Sequence, residues 1–151
     1  MVKRRKLNKR HDAPHVRLYR WMLESPAYLS LGCPARGVLV EIARVYDGTN
    51  NGRLGMSVRT LTERCRIAEG TVRQALLELQ DRGFIECVTK GSFNRKVQHA
   101  SEWRLTWWEC DMSGELPSKR FMQWGREKQN AGSKYPVAGS KQNRAPSQKA
   151  V

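Results

Sequence analysis

The chain has 151 residues, with 28 Lys and Arg against 14 Asp and Glu and a formal net charge of +14. That length allows one compact domain with tails or two very small ones, and a 39% hydrophobic content leaves part of the chain outside any core. No apolar run approaches the roughly 20 residues of a membrane span, and the opening Met-Val-Lys-Arg-Arg-Lys has no apolar stretch behind its charges, so neither a membrane segment nor a secretory signal is expected.

Residues 1–16 read as a disordered basic arm carrying Lys3, Arg4, Arg5 and Lys6, with Lys9 and Arg10 behind them. His11 and His15 stand four apart, but the arm is interrupted by Pro14 and offers no third metal ligand. A folded domain is expected over 17–110. Leu18, Tyr19, Trp21, Met22 and Leu23 open it as an apolar cluster, and Ser25-Pro26 reads as an N-cap and first helical residue. Val38, Leu39, Ile42, Ala43 and Tyr46 recur at helical spacing and predict a helix over 34–47, ended by Gly48. Thr49-Asn50-Asn51-Gly52 is a turn signal, and Leu54 and Met56 alternate like a very short strand.

Ser57 caps a predicted helix from Val58 to about Cys65, which Arg66-Ile67-Ala68-Glu69 connects tightly to the next. Val72, Ala75, Leu76 and Leu79 then give the stripe of a helix over 69–82, with Gly83 just past its end. The period switches there from about 3.6 to 2. Residues 84–88 and 103–107 predict two strands, joined by a basic loop, 89–102, with Gly91 at its bend and Phe93 at its tip. On the second strand Trp103 and Trp107 share a face and are expected in the core, which leaves Trp108 for another surface.

Residues 111–128 form an extension whose Phe121-Met122-Gln123-Trp124 is an isolated apolar patch. It either packs back onto the domain or offers Phe121 and Trp124 to a protein partner or a second copy. Residues 129–151, poor in large apolar side chains and repeating Ala-Gly-Ser-Lys, read as a disordered basic tail. Eleven of the 14 excess positive charges fall in residues 1–17 and 111–151, which points to a polyanionic partner. Cys33, Cys65, Cys87 and Cys110 lie far apart with no C-x-x-C, so no metal is expected and all four read as buried or half-buried thiols.

Helix, tight turn, helix and basic hairpin in that order describe an α+β winged helix-turn-helix, a three-helix core with a β-hairpin wing. The second helix of such a unit enters a DNA major groove about 12 Å wide, while cations and N–H donors hold the phosphates. The outward face of 69–82 begins with Glu69, Gly70, Thr71, Arg73 and Gln74 and turns acidic at Glu78 and Asp81: Arg pairs with guanine, Gln with adenine, and the Thr hydroxyl suits a phosphate or a base edge. Arg59 on the first helix, Lys90, Arg95 and Lys96 of the loop and the cations of the arm are the other expected DNA contacts. Ser57-x-x-x-Leu61, Ile67-x-x-x-Thr71-Val72-x-x-Ala75-Leu76-x-x-Leu79, Gly83-Phe84-Ile85 and Ala100-Ser101-x-Trp103-Arg104-Leu105-Thr106 resemble the winged-helix proteins of bacterial regulators and of phage and plasmid replication modules. The Asn50-Asn51-Gly52-x-Leu54 turn is similar to a subgroup found in prophage and mobile-element proteins.

The resemblance covers about residues 20–108. It implies sequence-specific binding of double-stranded DNA, in transcription regulation or in a replication or mobile-element module, by a cytoplasmic, nucleoid-associated protein. Two departures stand out. Ala68 occupies the position before the recognition helix where Ser or Thr is frequent, and Glu69 at the helix start repels phosphate. Both suit an alternative in which the winged helix is a protein-interaction module, such as a phage protein that engages a host nuclease or polymerase. RNA binding is a third, weaker reading, and a homodimer stays open because many winged-helix regulators are dimers, although no long coiled-coil stretch appears here. No catalytic motif, P-loop or cofactor fingerprint is present, so neither an enzyme nor a cofactor is expected.

Overall fold

The computed structural model describes residues 13–94 and 97–125, with 92–94, 97 and 98 described as backbone. Arm residues 1–12, Arg95, Lys96 and the tail lie outside the described residues. Among those described, the chain forms five α-helices, α1 (Arg20–Leu23), α2 (Pro26–Leu29), α3 (Cys33–Arg44), α4 (Val58–Cys65) and α5 (Glu69–Asp81), and five short strands. β1 (Leu54–Gly55), β5 (Glu102–Leu105) and β2 (Ile85–Thr89) make an antiparallel sheet in the order β1-β5-β2. β3 (Ser92–Asn94) and β4 (Val97–His99) pair as a separate antiparallel ladder. The architecture is therefore α+β.

Helix ends follow the expected capping chemistry. Ser25 and Ser57 have extended backbones, and their hydroxyls accept from the Tyr28 and Thr60 N–H groups at 3.2 and 3.0 Å. Gly83 ends α5 with φ +78°: its N–H donates to the Gln80 carbonyl, and the Phe84 N–H reaches back to Leu79. A side chain at Gly83 is excluded twice, since a Cβ there falls 2.8 Å from the Arg120 Cβ and 2.9 Å from the Phe121 nitrogen.

One core joins these elements. α3 buries Ala35, Val38, Leu39, Ile42 and Ala43 against Leu61 of α4 and the Val72, Ala75, Leu76 and Leu79 stripe of α5, with Leu54, Ile85, Trp103 and Leu105 of the sheet closing one side. Burial of these apolar faces supplies the main driving force for folding.

Several expectations need correction. α3 stops at Arg44, three residues short of its predicted end, because the Asn50 amide donates to the Val45 carbonyl at 2.9 Å and its oxygen accepts from the Asp47 N–H at 3.1 Å, hooking the chain into the turn. The basic segment 89–102 is not a simple loop. β3 and β4 extend the hairpin beyond the sheet, and Phe93 stands opposite Gln98 within that ladder. Gly91 lies where the two chain segments close on each other, a Cβ there falling 2.9 Å from the Ser101 nitrogen. β5 ends at Leu105, and Trp107 sits in the following turn; Trp103 and Trp107 are nonetheless both buried. Cys33, expected buried or half-buried, is exposed at the start of α3.

A further correction concerns Phe121 as a partner contact. It is fully buried, so of its two expected roles it takes the first and packs back into the core. Its ring stacks on Phe84 at 4.6 Å and on Trp21 at 5.7 Å, and Trp21 stacks in turn on Tyr19 at 5.6 Å. Trp124 is half-buried against the same core, with the Arg82 guanidinium 4.4 Å above its ring. The segment after 110 is anchored by polar contacts as well. The buried Arg104 of β5 pairs with Glu115 and donates to the Leu116 carbonyl at 3.1 Å, and the Lys119 N–H donates to the Thr106 carbonyl.

Candidate nucleic-acid interface

α4 and α5 are held in place from behind. Glu41 of α3 accepts from Arg64 of α4 and, at 3.1 Å, from Arg44. The Arg64 hydrogen bond holds the Glu41 carboxyl below its ordinary value; partial burial opposes this and Arg44 assists it. At the other end of α5, Glu78 accepts from the Gly32 N–H at 3.1 Å, and Arg82 donates to the Ser30 hydroxyl at 2.9 Å. Between α4 and α5 the chain turns through Arg66, whose φ of +54° is left-handed. Ala68 has the extended backbone of an N-cap but gives α5 no side-chain acceptor.

The first turns of α4 and α5 and the base of the β3–β4 hairpin enclose a groove of about 810 Å³. Ser57, Arg59, Thr62 and Glu63 line it from α4, Glu69 and Arg73 from α5, and Gly91, His99 and Ser101 from the hairpin. Arg59 and Arg73 therefore line one groove. Each is held by a carboxylate one turn away on its own helix. Arg59 Nε donates to Glu63 Oε1 at 3.0 Å, and Arg73 Nε to Glu69 Oε1 at 3.1 Å. Both pairs are exposed, so water weakens them and an incoming anion competes for the guanidinium on near-equal terms.

Of the remaining expected contacts, Gln74 is exposed on α5 and Thr71 is half-buried. Lys90 is exposed beyond the end of β2 with no carboxylate partner among the described residues. Burial pushes the nearby Cys87 thiol up, and the Lys90 ammonium counteracts this in part. Lys3, Arg4, Arg5, Lys6, Arg95 and Lys96 lie outside the described residues. No protein-family model matches the chain, and no curated protein or solved structure does.

Sequence reasoning overlooked two exposed side chains, one on α5 and one at the turn before it. Leu77, 61% exposed, stands one turn beyond Arg73 on α5, outside the buried stripe of that helix. Its signal was present, since 77 belongs to neither the 72-75-76-79 set nor a charged series. Arg66 is the other, exposed at the turn between α4 and α5 and without a carboxylate partner among the described residues. Among the described residues no group of His, Cys, Asp and Glu is arranged to hold a metal ion, and no helix is long and apolar enough to cross a membrane.

Proposed function

We propose that the chain is a winged helix-turn-helix protein that binds double-stranded DNA in a sequence-dependent way, as a transcription regulator or within a phage, plasmid or mobile-element module. α4 and α5 are the helix-turn-helix, β2–β5 the wing, and α5 the element that enters the major groove. The observation that carries this reading is the outward face of α5. Arg73, Gln74 and Leu77 stand exposed on a helix whose opposite face is fully packed, alongside a hairpin that carries Lys90. Arg and Gln supply the hydrogen bonds that distinguish guanine and adenine, and an exposed Leu suits a thymine methyl. The cation-rich ends supply attraction to phosphate irrespective of sequence. This reading assigns the protein a binding role and no catalysis.

Selection of bound sequences from a random duplex library at about 150 mM salt, where screening limits electrostatic reach to roughly 8 Å, tests it. A defined motif is the expected result. Tight binding at low salt with no enriched motif overturns the sequence-dependent part.

A second reading takes the same face as a protein-docking surface. Its support is the pairing of Arg59 and Arg73 with Glu63 and Glu69, which leaves the groove with both signs of charge rather than a plain cationic field.

A further inference from the structure

Glu69 and Arg73 share their hydrogen bonds unevenly. Arg73 Nε and Nη2 both donate to one oxygen, Glu69 Oε1, at 3.1 and 2.5 Å. Among the described residues, Glu69 Oε2 has no donor and Arg73 Nη1 has no acceptor, although both side chains are exposed. The acids farther along α5 are engaged by the fold, Glu78 by the Gly32 N–H and Asp81 by Arg82. An exposed pair such as Glu69 and Arg73 adds little to stability, so its two unused edges are free to meet a second molecule.

Gly70 lies beside them, exposed in the first turn of the same helix. It does not have a positive φ, and a Cβ there meets no heavy atom within 4 Å among the described residues. Glycine weakens a helix relative to alanine, and no contact in the fold offsets that here. What its missing side chain does provide is room for a second molecule to come close to the backbone.

The edges left open have a definite order, two donors on arginine beside an acceptor on the carboxylate. In the major groove a G·C pair shows the complementary order: acceptors at guanine N7 and O6, then the donor at cytosine N4. An A·T pair shows acceptor, donor, acceptor, which the same two side chains do not match. A carboxylate facing the duplex also repels it wherever no donor meets the oxygen, so it disfavours the other sequences.

We propose that Glu69 and Arg73 read a single G·C base pair as one unit. Arg73 donates to guanine N7 and O6, Glu69 Oε2 accepts from the cytosine N4 amino group, and Gly70 lets the base edges approach the first turn of α5. The inference rests on the DNA reading above and adds to it the identity of one base pair. It also gives Glu69 a role that a carboxylate at the start of a DNA-facing helix otherwise lacks.

The full chain, selected on a random duplex library, is expected to give a motif with a fixed G·C pair that Glu69→Ala relaxes. The selected duplex is then titrated with N4-methylcytosine in that pair. The modified base keeps Watson–Crick pairing and both guanine acceptors but replaces the groove-facing N4–H with a methyl group. It is expected to weaken wild type about tenfold and Glu69→Ala by less than about twofold. Gly70→Leu is expected to bind the selected duplex about tenfold more weakly while its unfolding midpoint holds or rises, because leucine favours the helix. A motif with no such G·C pair, an equal methyl effect in wild type and Glu69→Ala, or undiminished binding by Gly70→Leu overturns the proposal and leaves the DNA reading standing. The absence of any motif overturns both.

Discussion

Phe84 and Phe121 stack ring on ring, centroids 4.6 Å apart and planes within 14°, although one directly precedes β2 and the other lies in the segment that follows the sheet. Trp21 covers another side of Phe121, so three distant parts of the chain meet at one ring. Phe121→Ala is expected to cost about 3–5 kcal/mol in urea unfolding, the range for an aromatic removed from a core. A loss under about 1 kcal/mol, no more than an ordinary surface substitution costs, contradicts this packing.

Asn51 works as a polar counterpart. Fully buried, it accepts from the Leu105 N–H at 2.7 Å and donates to the Leu105, Trp108 and Glu109 carbonyls at 3.0, 3.3 and 2.8 Å. Asn51→Ala leaves those groups without their partner and is expected to cost about 2–4 kcal/mol. Asn51→Asp, which turns a carboxylate toward three carbonyls, is expected to cost at least as much. Equal stability of wild type and Asn51→Ala in chemical denaturation contradicts this account.

Ala68 leaves α5 uncapped although its backbone, at φ −62° and ψ 148°, already suits a cap. Ala68→Ser is therefore expected to stabilise the fold by about 0.5–1 kcal/mol, read as a higher unfolding midpoint. No gain means that the first-turn N–H groups of α5 are already satisfied by water.

Glu41 predicts a pH dependence. Its folded pKa lies below the ordinary 4.5 because of the Arg64 hydrogen bond. A depressed carboxylate contributes stability above its unfolded pKa and loses it as pH falls through the folded value. The stability difference between wild type and Glu41→Gln is thus expected to be constant near neutrality and to shrink below about pH 4.5, the ordinary value. A difference that is flat across the acid range removes the α3–α4 bridge from the account of stability.

Glu69 and Arg73 connect the groove to the proposed DNA binding. Arg73→Ala is expected to cost about 1–3 kcal/mol at a preferred sequence and to relax the choice of base at one position. Glu69→Gln releases Arg73 and removes a negative charge, so binding to random duplex is expected to tighten and its salt dependence to steepen. Gel-shift titrations at several salt concentrations check both. Equal losses for Arg73→Ala on preferred and random DNA take Arg73 out of base reading.

Local chemistry was legible along the chain. Ser25 and Ser57 as caps, Gly83 as a helix stop, the 72-75-76-79 stripe of α5 and the change of period after it depend on neighbours a few residues away, and the structure has each of them. The order of elements around the groove could be read for the same reason, because turn residues and periodicity are short-range signals. Tertiary structure decided what depends on distant partners. Phe121 looked like an isolated patch because nothing in its own segment shows Phe84 or Trp21 against it. Asn51 read as an ordinary turn residue, since only the fold brings the end of β5 within hydrogen-bond reach. Arg59 and Arg73 read as available cations, yet whether Glu63 and Glu69 turn toward them is a matter of side-chain geometry that spacing alone leaves open.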